Sequence, residues 1–191
     1  LPNVMRGEET QVLGVLQGLE ADVLIGLPGS HSKWVEVAGG CITHFDTFMT
    51  GELFAVLSKH SILGRTQKAS EHFQAEAFDR GVQVALSEDG RRGLLSTLFS
   101  ARTLGLTAEL AAEQQPDYLS GLLIGHELAG LPEHAKHQPI ILVGTAPLCA
   151  RYQRALALCG FNHVRLAQEA TARGLWQLAL AAGLTQPVLE A

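Results

Sequence analysis

The sequence predicts a mixed α/β fold, in which a three-strand antiparallel meander and a strand–helix–strand–helix tail form one sheet, with a helical insertion between them. Two observations predict this arrangement. Three short strand-like runs near the start are separated by tight turn signals, which is typical of antiparallel neighbours. Near the end, two apolar runs alternate with helical patterns, which is typical of parallel strands joined by a right-handed crossover.

The meander is predicted from three apolar or alternating runs, at Val23–Leu27, 34–37 and Cys41–Phe48. Pro28 and Gly29 turn the chain after the first run, and the sequence Ala-Gly-Gly at 38–40 turns it after the second. A helix is predicted before the meander, over residues 10–19, because its apolar side chains recur at helical spacing.

The helical insertion is predicted over residues 50–131, where apolar stripes recur at helical spacing. Thr50 stands where the N-terminal cap of the first helix is expected. The last helix of the insertion carries Gly121, Gly125 and Gly130. Small residues at this spacing predict that another backbone packs closely against that helix.

The tail begins with a continuous apolar run at 139–143, which is typical of a strand that is buried on both faces. A turn at 144–146 leads into a helix. A short strand at 162–167 and a final helix at 169–182 complete the tail. We expect the side chain of Trp176, which stands in an apolar stripe of that last helix, to lie in the core.

The composition excludes several classes of function. Of the 191 residues, 47% are hydrophobic and 17% charged, which is typical of a folded domain rather than a disordered segment. A formal net charge of −5 argues against binding to nucleic acid or to an anionic membrane surface. No apolar run approaches the roughly 18 residues of a membrane-spanning helix. Three cysteines without close spacing argue against a disulfide framework or a zinc site, and we expect a cytoplasmic protein.

The turn between the first two strands has the residue types that a phosphate-binding loop requires. Gly29 lacks a Cβ, so its backbone can approach a ligand closely, and Ser30, His31 and Ser32 add polar groups. Lys33 would add positive charge, although a residue that alternates out of a strand is equally expected to face solvent. Taken alone, the same residues also fit an ordinary hairpin turn.

The order of the elements relates this loop to a second one. Meander, helical insertion and tail follow one another in this way in one lobe of the actin, hexokinase and Hsp70 group of nucleotide-binding folds, whose sheet is ribonuclease H-like. In that group the first turn grips phosphates, and the turn after the first strand of the tail receives the nucleoside. Gly144, Thr145 and Ala146 occupy the second position here, although they serve equally well as a strand-to-helix turn.

Five sequence blocks stand in order along most of the chain: MRGEETQ at 5–11, PGSHSKWV at 28–35, MTGEL at 49–53, YLSGLLIG at 118–125 and ARYQ at 150–153. Together they resemble the 2-dehydro-3-deoxygalactonokinase family. The resemblance implies a kinase that uses ATP and Mg²⁺ to phosphorylate the 6-hydroxyl of 2-dehydro-3-deoxy-D-galactonate in galactonate catabolism. Its small-molecule partners would be that sugar acid and ATP.

The resemblance also implies that the chain is the carboxy-terminal part of a two-lobed protein. Such kinases resemble proteins whose amino-terminal lobe carries an acidic, glycine-rich strand-turn, and the sequence contains no such segment. We therefore assign residues 1–20 to a connecting segment and 21–191 to a C-terminal nucleotide-binding lobe. We expect one small lobe of roughly 100 residues before Leu1. Mg²⁺ would be held mainly by the phosphates of ATP and by that lobe.

Glu8 is the candidate general base. In carbohydrate kinases of this fold, an acid after a glycine, at the head of the helix before the phosphate-loop strand, can deprotonate the sugar hydroxyl, and Gly7-Glu8 resembles that pair. The helix dipole favours the ionised form there, although acids are common in first turns simply because they stabilise helices. Glu9, about 100° away around the helix, is the alternative base or a substrate ligand. Arg6 suits a substrate carboxylate, and equally a surface position.

The histidines do not predict a metal site. Glu133, His134 and His137 have ligand-like spacing, but they lie in a polar loop before Pro139 and lack a further convincing ligand. Two other functions remain open: a non-catalytic nucleotide-binding or regulatory module of the same fold, and a phosphohydrolase. Whether the chain forms a homo-oligomer also remains open from the sequence.

Overall fold

Helices and strands follow one another along the chain in the predicted order. The structure is a computed structural model that describes residues 1–19 and 21–185. Residue 20, the last of the predicted connecting segment, and residues 186–191 of the predicted C-terminal lobe lie outside the described residues. The strands are β1 (Val23–Leu27), β2 (Ser32–Ala38), β3 (Cys41–Phe48), β4 (Ile140–Leu142) and β5 (Val164–Leu166). The α-helices are α1 (Glu8–Leu16), α2 (Thr50–His60), α3 (Ala75–Leu86), α4 (Leu94–Thr97), α5 (Ser100–Leu106), α6 (Gln115–Ala129), α7 (Ala146–Leu158) and α8 (Ala170–Ala181). Short 3₁₀ helices occur at Ile62–Thr66, Gly90–Arg92 and Glu133–His137.

The strands form one mixed sheet in the order β3-β2-β1-β4-β5. β1 pairs antiparallel with β2, and β2 with β3, which is the predicted meander. β4 runs parallel to β1, and β5 parallel to β4. The mixed α/β fold predicted from the sequence is therefore confirmed. β1 lies at the centre of the sheet, and all five of its residues are buried.

Helices cover both faces of the sheet, and each face has its own core. On one face, Leu24, Trp34 and Leu142 pack with residues of α3, α6 and α7. On the other face, Ile25 and Val35 pack with residues of α1 and α8. This division follows from the alternation of side chains along β1 and β2.

The helical insertion has its own apolar cluster, centred on α6 and the helices around it. α3 and α6 approach so closely that a Cβ on Gly121 would lie 2.0 Å from the carbonyl oxygen of Phe78. The close packing predicted from the small residues of α6 is thus confirmed at this position. Among the described residues, no helix is both long and apolar enough to cross a membrane.

Several boundaries and one burial prediction were wrong. α1 covers Glu8–Leu16 rather than residues 10–19, because Gly7 adopts a left-handed conformation (φ 107°) that ends the preceding segment, and the helix stops before Gly18. β2 begins at Ser32, two residues before its predicted start. Trp176 is 42% exposed rather than buried, because it lies on the side of α8 that faces away from the sheet core.

Candidate active site

The loop between β1 and β2, which we call the phosphate-loop candidate (residues 28–31), lies against the amino terminus of α2. The backbone N–H of Glu52 donates a hydrogen bond to the carbonyl oxygen of Ser30 at 3.0 Å. A Cβ on Gly51 would lie 2.4 Å from the carbonyl oxygen of Gly29, so glycine is required there for the helix to approach the loop. The first turn of α2 and the loop therefore form one structural unit.

The second predicted turn lies beside the first. β4 is the parallel neighbour of β1, and the N–H of Val143 donates to the carbonyl oxygen of Gly26 at 2.9 Å. A Cβ on Gly144 would lie 3.6 Å from the carbonyl oxygen of Pro28. Thr145 and Ala146, at the start of α7, are exposed at the same edge of the sheet. The structure thus brings together both sets of predicted nucleotide-binding residues.

A pocket of about 210 Å³ opens next to this edge. It is bounded by the loop, the start of α2, and facing side chains of α6 and α7; its lining includes Gly29, Thr50, Gly51, Phe54, Leu123, Ile124, Leu148, Arg151 and Tyr152. Most of these side chains are apolar. The guanidinium of Arg151 is held by Asp117, with 2.5 Å between Nη1 and Oδ1, and lies 4.4 Å above the ring centre of Phe73.

A buried carboxylate lies beneath the pocket. Glu127 of α6 is 3% exposed, and its Oε1 accepts a hydrogen bond from the indole Nε1 of Trp34 at 2.7 Å. Its Oε2 accepts from the hydroxyls of Thr50 and of Tyr152, the latter at 2.8 Å. The Tyr152 hydroxyl also lies 2.9 Å from the buried Oγ of Ser32. One carboxylate therefore joins β2, α2 and α7. It is linked to the loop through Tyr152 and Ser32, whose Oγ accepts from the backbone N–H of Gly29 at 3.4 Å.

This network changes the ionisation of its members. Burial raises the pKa of Glu127, while the hydrogen bonds from Thr50, Trp34, Tyr152 and Ser32 act against that rise. Burial and the nearby Glu127 also raise the pKa of Tyr152. The prediction that Thr50 caps α2 was wrong, because the Thr50 hydroxyl donates to Glu127 instead and no side chain caps this helix.

Glu127 was not predicted from the sequence. The available signal was an acid in an otherwise apolar stretch of α6. A charged group is rarely buried without hydrogen-bond or charge partners, so its position there indicates a buried carboxyl group with such partners.

The candidate base lies on the opposite face of the sheet from this network. Glu8 is half-buried at the start of α1, and its Oε2 accepts from the backbone N–H of Arg6 at 2.7 Å. Its Oε1 lies 3.4 Å from the Nζ of Lys33. The suggestion that Lys33 faces solvent was wrong, since its side chain is 5% exposed and its Nζ donates to the carbonyl oxygen of His31 at 3.0 Å.

The two residues beside Glu8 have different surroundings. Glu9 is exposed, and its Oε2 accepts from the N–H of Gly7 at 2.8 Å. Arg6 is exposed near the start of α1. In the loop, the exposed His31 ring binds the carboxylate of Glu52.

The described residues contain no group of three or more side chains that could hold a metal ion. Glu133 pairs with Lys136 at 3.0 Å, and His134 lies 3.9 Å from the carboxylate of Glu36.

Comparisons with known proteins agree with one another. A family model described as 2-keto-3-deoxy-galactonokinase matches residues 1–178. The chain is 40% identical over 168 residues to a 2-dehydro-3-deoxygalactonokinase of Escherichia coli (strain K12), covering 87% of this chain and 56% of that protein. It is 37% identical over 187 residues to a protein of Rhizobium meliloti (strain 1021) named "Probable 2-dehydro-3-deoxygalactonokinase DgoK1", covering 93% of this chain and 61% of that protein.

A solved structure is also similar. It is a crystal structure of a Sinorhizobium meliloti protein assigned as a 2-dehydro-3-deoxygalactonokinase, with a TM-score of 0.83 and 37% sequence identity. The match covers 95% of this chain and 61% of that one. The chain thus spans little more than half the length of the relatives that it matches.

Proposed function

Because this chain belongs to the 2-keto-3-deoxy-galactonokinase family, we propose that it supplies the nucleotide-binding part of an ATP-dependent sugar-acid kinase. The proposed reaction transfers the γ-phosphoryl group of ATP to the 6-hydroxyl of 2-dehydro-3-deoxy-D-galactonate, in galactonate catabolism. We assign this activity to the complete natural protein that contains the chain. Residues 21–191 would be a C-terminal lobe of the actin and hexokinase type, and residues 1–20 the connecting segment.

The proposal depends on one observation: nothing in the surroundings or the backbone conformation of Gly29 requires a glycine at this position. A Cβ at this position would meet no protein atom within 4 Å, and the backbone of Gly29 is not in the left-handed region. Neither packing nor backbone strain within the described residues therefore requires a glycine here. A phosphate that must approach the backbone closely does require one.

Backbone donors around Gly29 support a phosphate site. Within the described part of the chain, the N–H groups of Ser30 and His31 donate no hydrogen bond. In the first turn of α2, the N–H of Glu52 donates to Ser30 and that of Leu53 donates to Met49, whereas the N–H groups of Thr50 and Gly51 have no acceptor among the described residues. The helix dipole places partial positive charge at the same point. Loop and helix start are in contact, so both sets of donors can bind one polyphosphate.

The neighbouring pocket supports a site for the nucleoside. Leu123 and Ile124 of α6 face Leu148 of α7 across a space of about 210 Å³. Apolar walls with a few polar groups suit a flat heterocyclic base. We place the adenine of ATP between these walls, with its ribose beside the exposed turn of Gly144, Thr145 and Ala146.

Glu8 is the proposed general base, and it would accept the proton of the 6-hydroxyl as the phosphoryl group is transferred. Its position at the start of α1, 3.4 Å from the Nζ of Lys33 in the strand that leaves the loop, supports this role. Arg6 and Glu9, exposed on the same segment, are proposed to bind the sugar acid, with Arg6 on the carboxylate.

Mg²⁺ would neutralise phosphate charge during transfer. We assign the ion mainly to the phosphates of ATP and to the amino-terminal lobe that the family resemblance implies. Cys41, Cys149 and Cys159 are all free thiols, which fits our proposal that the kinase works in the cytoplasm.

The variant Gly29→Ala tests the phosphate site in the complete natural protein. Because a Cβ there has free space, we expect an unchanged unfolding temperature but a KM for ATP at least tenfold higher, measured by ADP release with the sugar acid as acceptor. Gly130→Ala at the end of α6, where a Cβ would lie 3.3 Å from the nearest atom, is the control and should keep the KM of the wild type.

Two results would contradict this assignment. If Gly29→Ala binds ATP as tightly as the wild type, the loop is not the phosphate site. If the wild type binds ATP but transfers no phosphate to any sugar acid, the chain belongs to a non-catalytic nucleotide-binding module.

A further inference from the structure

Lys33 is buried at the point where β1, β2 and α1 meet. The residue is 4% exposed, and its Nζ has two acceptors, the carbonyl oxygen of His31 at 3.0 Å and Oε1 of Glu8 at 3.4 Å. Because side chains alternate along β2, Lys33 points to the same face as Val35, towards the core under α1 and α8. One ammonium group thus connects the phosphate-loop candidate to the proposed base.

A buried ammonium is costly unless an opposite charge and hydrogen-bond acceptors compensate it. Glu8 is the compensating charge, because it is the carboxylate within ion-pair distance of Lys33 among the described residues. Glu9, its neighbour on α1, binds the N–H of Gly7 instead. The His31 ring is engaged by Glu52.

Among the described residues, no charged side chain of α8, the other element packed against α1, pairs with Glu8 or Lys33. α8 contacts the first turns of α1 through uncharged groups: Thr171 binds Gln11 at 3.1 Å, and Gly174 lies against the backbone of Thr10. Arg6 forms no ion pair with Glu8 within the described residues.

We propose that Lys33 is a positioning residue for the kinase reaction, which orients the Glu8 carboxylate and fixes its distance from the phosphate-loop candidate. This inference rests on the proposed function, in which Glu8 is the base and the loop binds the transferred phosphate. Lys33 contacts neither substrate in this scheme. It acts by binding a loop carbonyl and the base with the same ammonium group, so that the acceptor hydroxyl and the phosphate are presented to each other in one geometry.

The ionisation of Glu8 agrees with this role. Burial by itself would raise the pKa of Glu8, but hydrogen bonds from the backbone N–H groups of Arg6 and Glu8, together with the charge of Lys33, hold the pKa below its ordinary value. Removing the ammonium removes one of these contributions, so the carboxylate would take up a proton at higher pH.

The test uses Lys33→Met, Lys33→Arg, Glu8→Gln and the double variant Glu8→Gln/Lys33→Met in the complete natural protein. We expect Lys33→Met to lower kcat by about 10- to 100-fold with little change in the KM for ATP. Its acid limb in the pH profile of kcat/KM should move to higher pH, and Lys33→Arg, which keeps the charge, should restore most of kcat and the profile. Lys68→Met removes an exposed lysine that pairs with Glu113 at 3.7 Å, and should leave the profile unchanged.

The double variant separates positioning from a general structural effect. If Lys33 acts through Glu8, adding Lys33→Met to Glu8→Gln should change kcat by no more than about twofold, because the base is already absent. This comparison also holds if Lys33→Met alone does not fold, because the double variant leaves no charge of the pair unpartnered.

Two outcomes would overturn the inference while leaving the kinase function intact: an acid limb that does not move in Lys33→Met, or losses in kcat that multiply in the double variant. A wild type that phosphorylates no sugar acid, or a Glu8→Gln variant that turns over normally, would overturn the proposed function or its base, and the inference with it.

Discussion

Replacing Glu127 by leucine should destabilise the protein strongly, although no charge on the surface changes. The carboxylate is 3% exposed and accepts hydrogen bonds from Trp34, Thr50 and Tyr152. Leucine fills most of the volume but accepts none of these bonds. The indole N–H of Trp34 and the hydroxyl of Thr50 would then be buried without an acceptor, whereas the Tyr152 hydroxyl could still donate to Oγ of Ser32.

The magnitude follows from the cost of those donors. A buried donor without a partner costs about 1–3 kcal/mol, and the two hydroxyls can partly compensate by rotating towards each other. Leucine also removes the cost of burying a carboxyl group, so the expected net loss is about 2–4 kcal/mol. For a domain of this size, such a loss lowers the unfolding temperature by about 4–16 °C.

Thermal unfolding followed by circular dichroism at 222 nm measures the loss. Glu133→Leu is the matched control, because Glu133 is 81% exposed and forms a surface pair with Lys136. This variant should lie within about 1 kcal/mol of the wild type. Adding Thr50→Val to Glu127→Leu removes one donor that has lost its acceptor, so the double variant should be more stable than the sum of the single losses predicts. Equal unfolding temperatures for the Glu127 and Glu133 variants would refute the reasoning.

Further predictions concern packing and pH. Gly121→Ala should destabilise the protein by at least about 2 kcal/mol in denaturant titrations, since its Cβ would lie 2.0 Å from the carbonyl oxygen of Phe78; a loss below 0.5 kcal/mol would contradict the observed approach of α3 and α6. Burial lowers the pKa of His126, so the unfolded chain binds that proton more strongly, and stability is lost as the pH falls below about 6.5. His126→Gln should remove this component, and identical stability curves for variant and wild type between pH 7 and pH 5 would refute it. Burial raises the pKa of Glu127, so the contribution of this group to stability is present at low pH and is lost as the pH rises above the ordinary carboxyl range. The variant Glu127→Gln should therefore be more destabilised, relative to the wild type, at pH 5 than at pH 8.

The fold was largely predictable because local signals coincide with the tertiary arrangement. Val23–Leu27 is uniformly apolar and becomes the central strand, buried on both faces. The bounds of Cys41–Phe48 were predicted without error, since turn glycines precede it and a helix start follows. The start of α1 was harder to predict, because it depends on the left-handed conformation of Gly7. The spacing of apolar residues along the helix does not indicate that conformation.

The candidate site was predictable only in part. The residues proposed to bind phosphate and the buried residues that hold them in place leave different signals in the sequence. Loop residues such as Gly29 are recognised by type and position. Glu127 and Lys33 carry charges that ordinary reasoning places at the surface, and their burial depends on partners distant in sequence: Trp34 is 93 residues from Glu127. Such pairings follow from the packing of helices on the sheet, which a pattern along one segment does not specify.

Ser32 and Lys33, the two residues that follow the phosphate-loop candidate, also explain why the geometry of the loop is well determined. Ser32 and Lys33 are neighbours in β2, so their side chains point to opposite faces of the sheet. Ser32 is bound by Tyr152 on one face, and Lys33 binds Glu8 on the other. A shift of β2 by one residue would exchange the two side chains and place an ammonium in the apolar core beside Trp34. The register of β2 is thus fixed by charge as well as by apolar packing. Because the loop leads directly into β2, a fixed register also fixes the position of the loop.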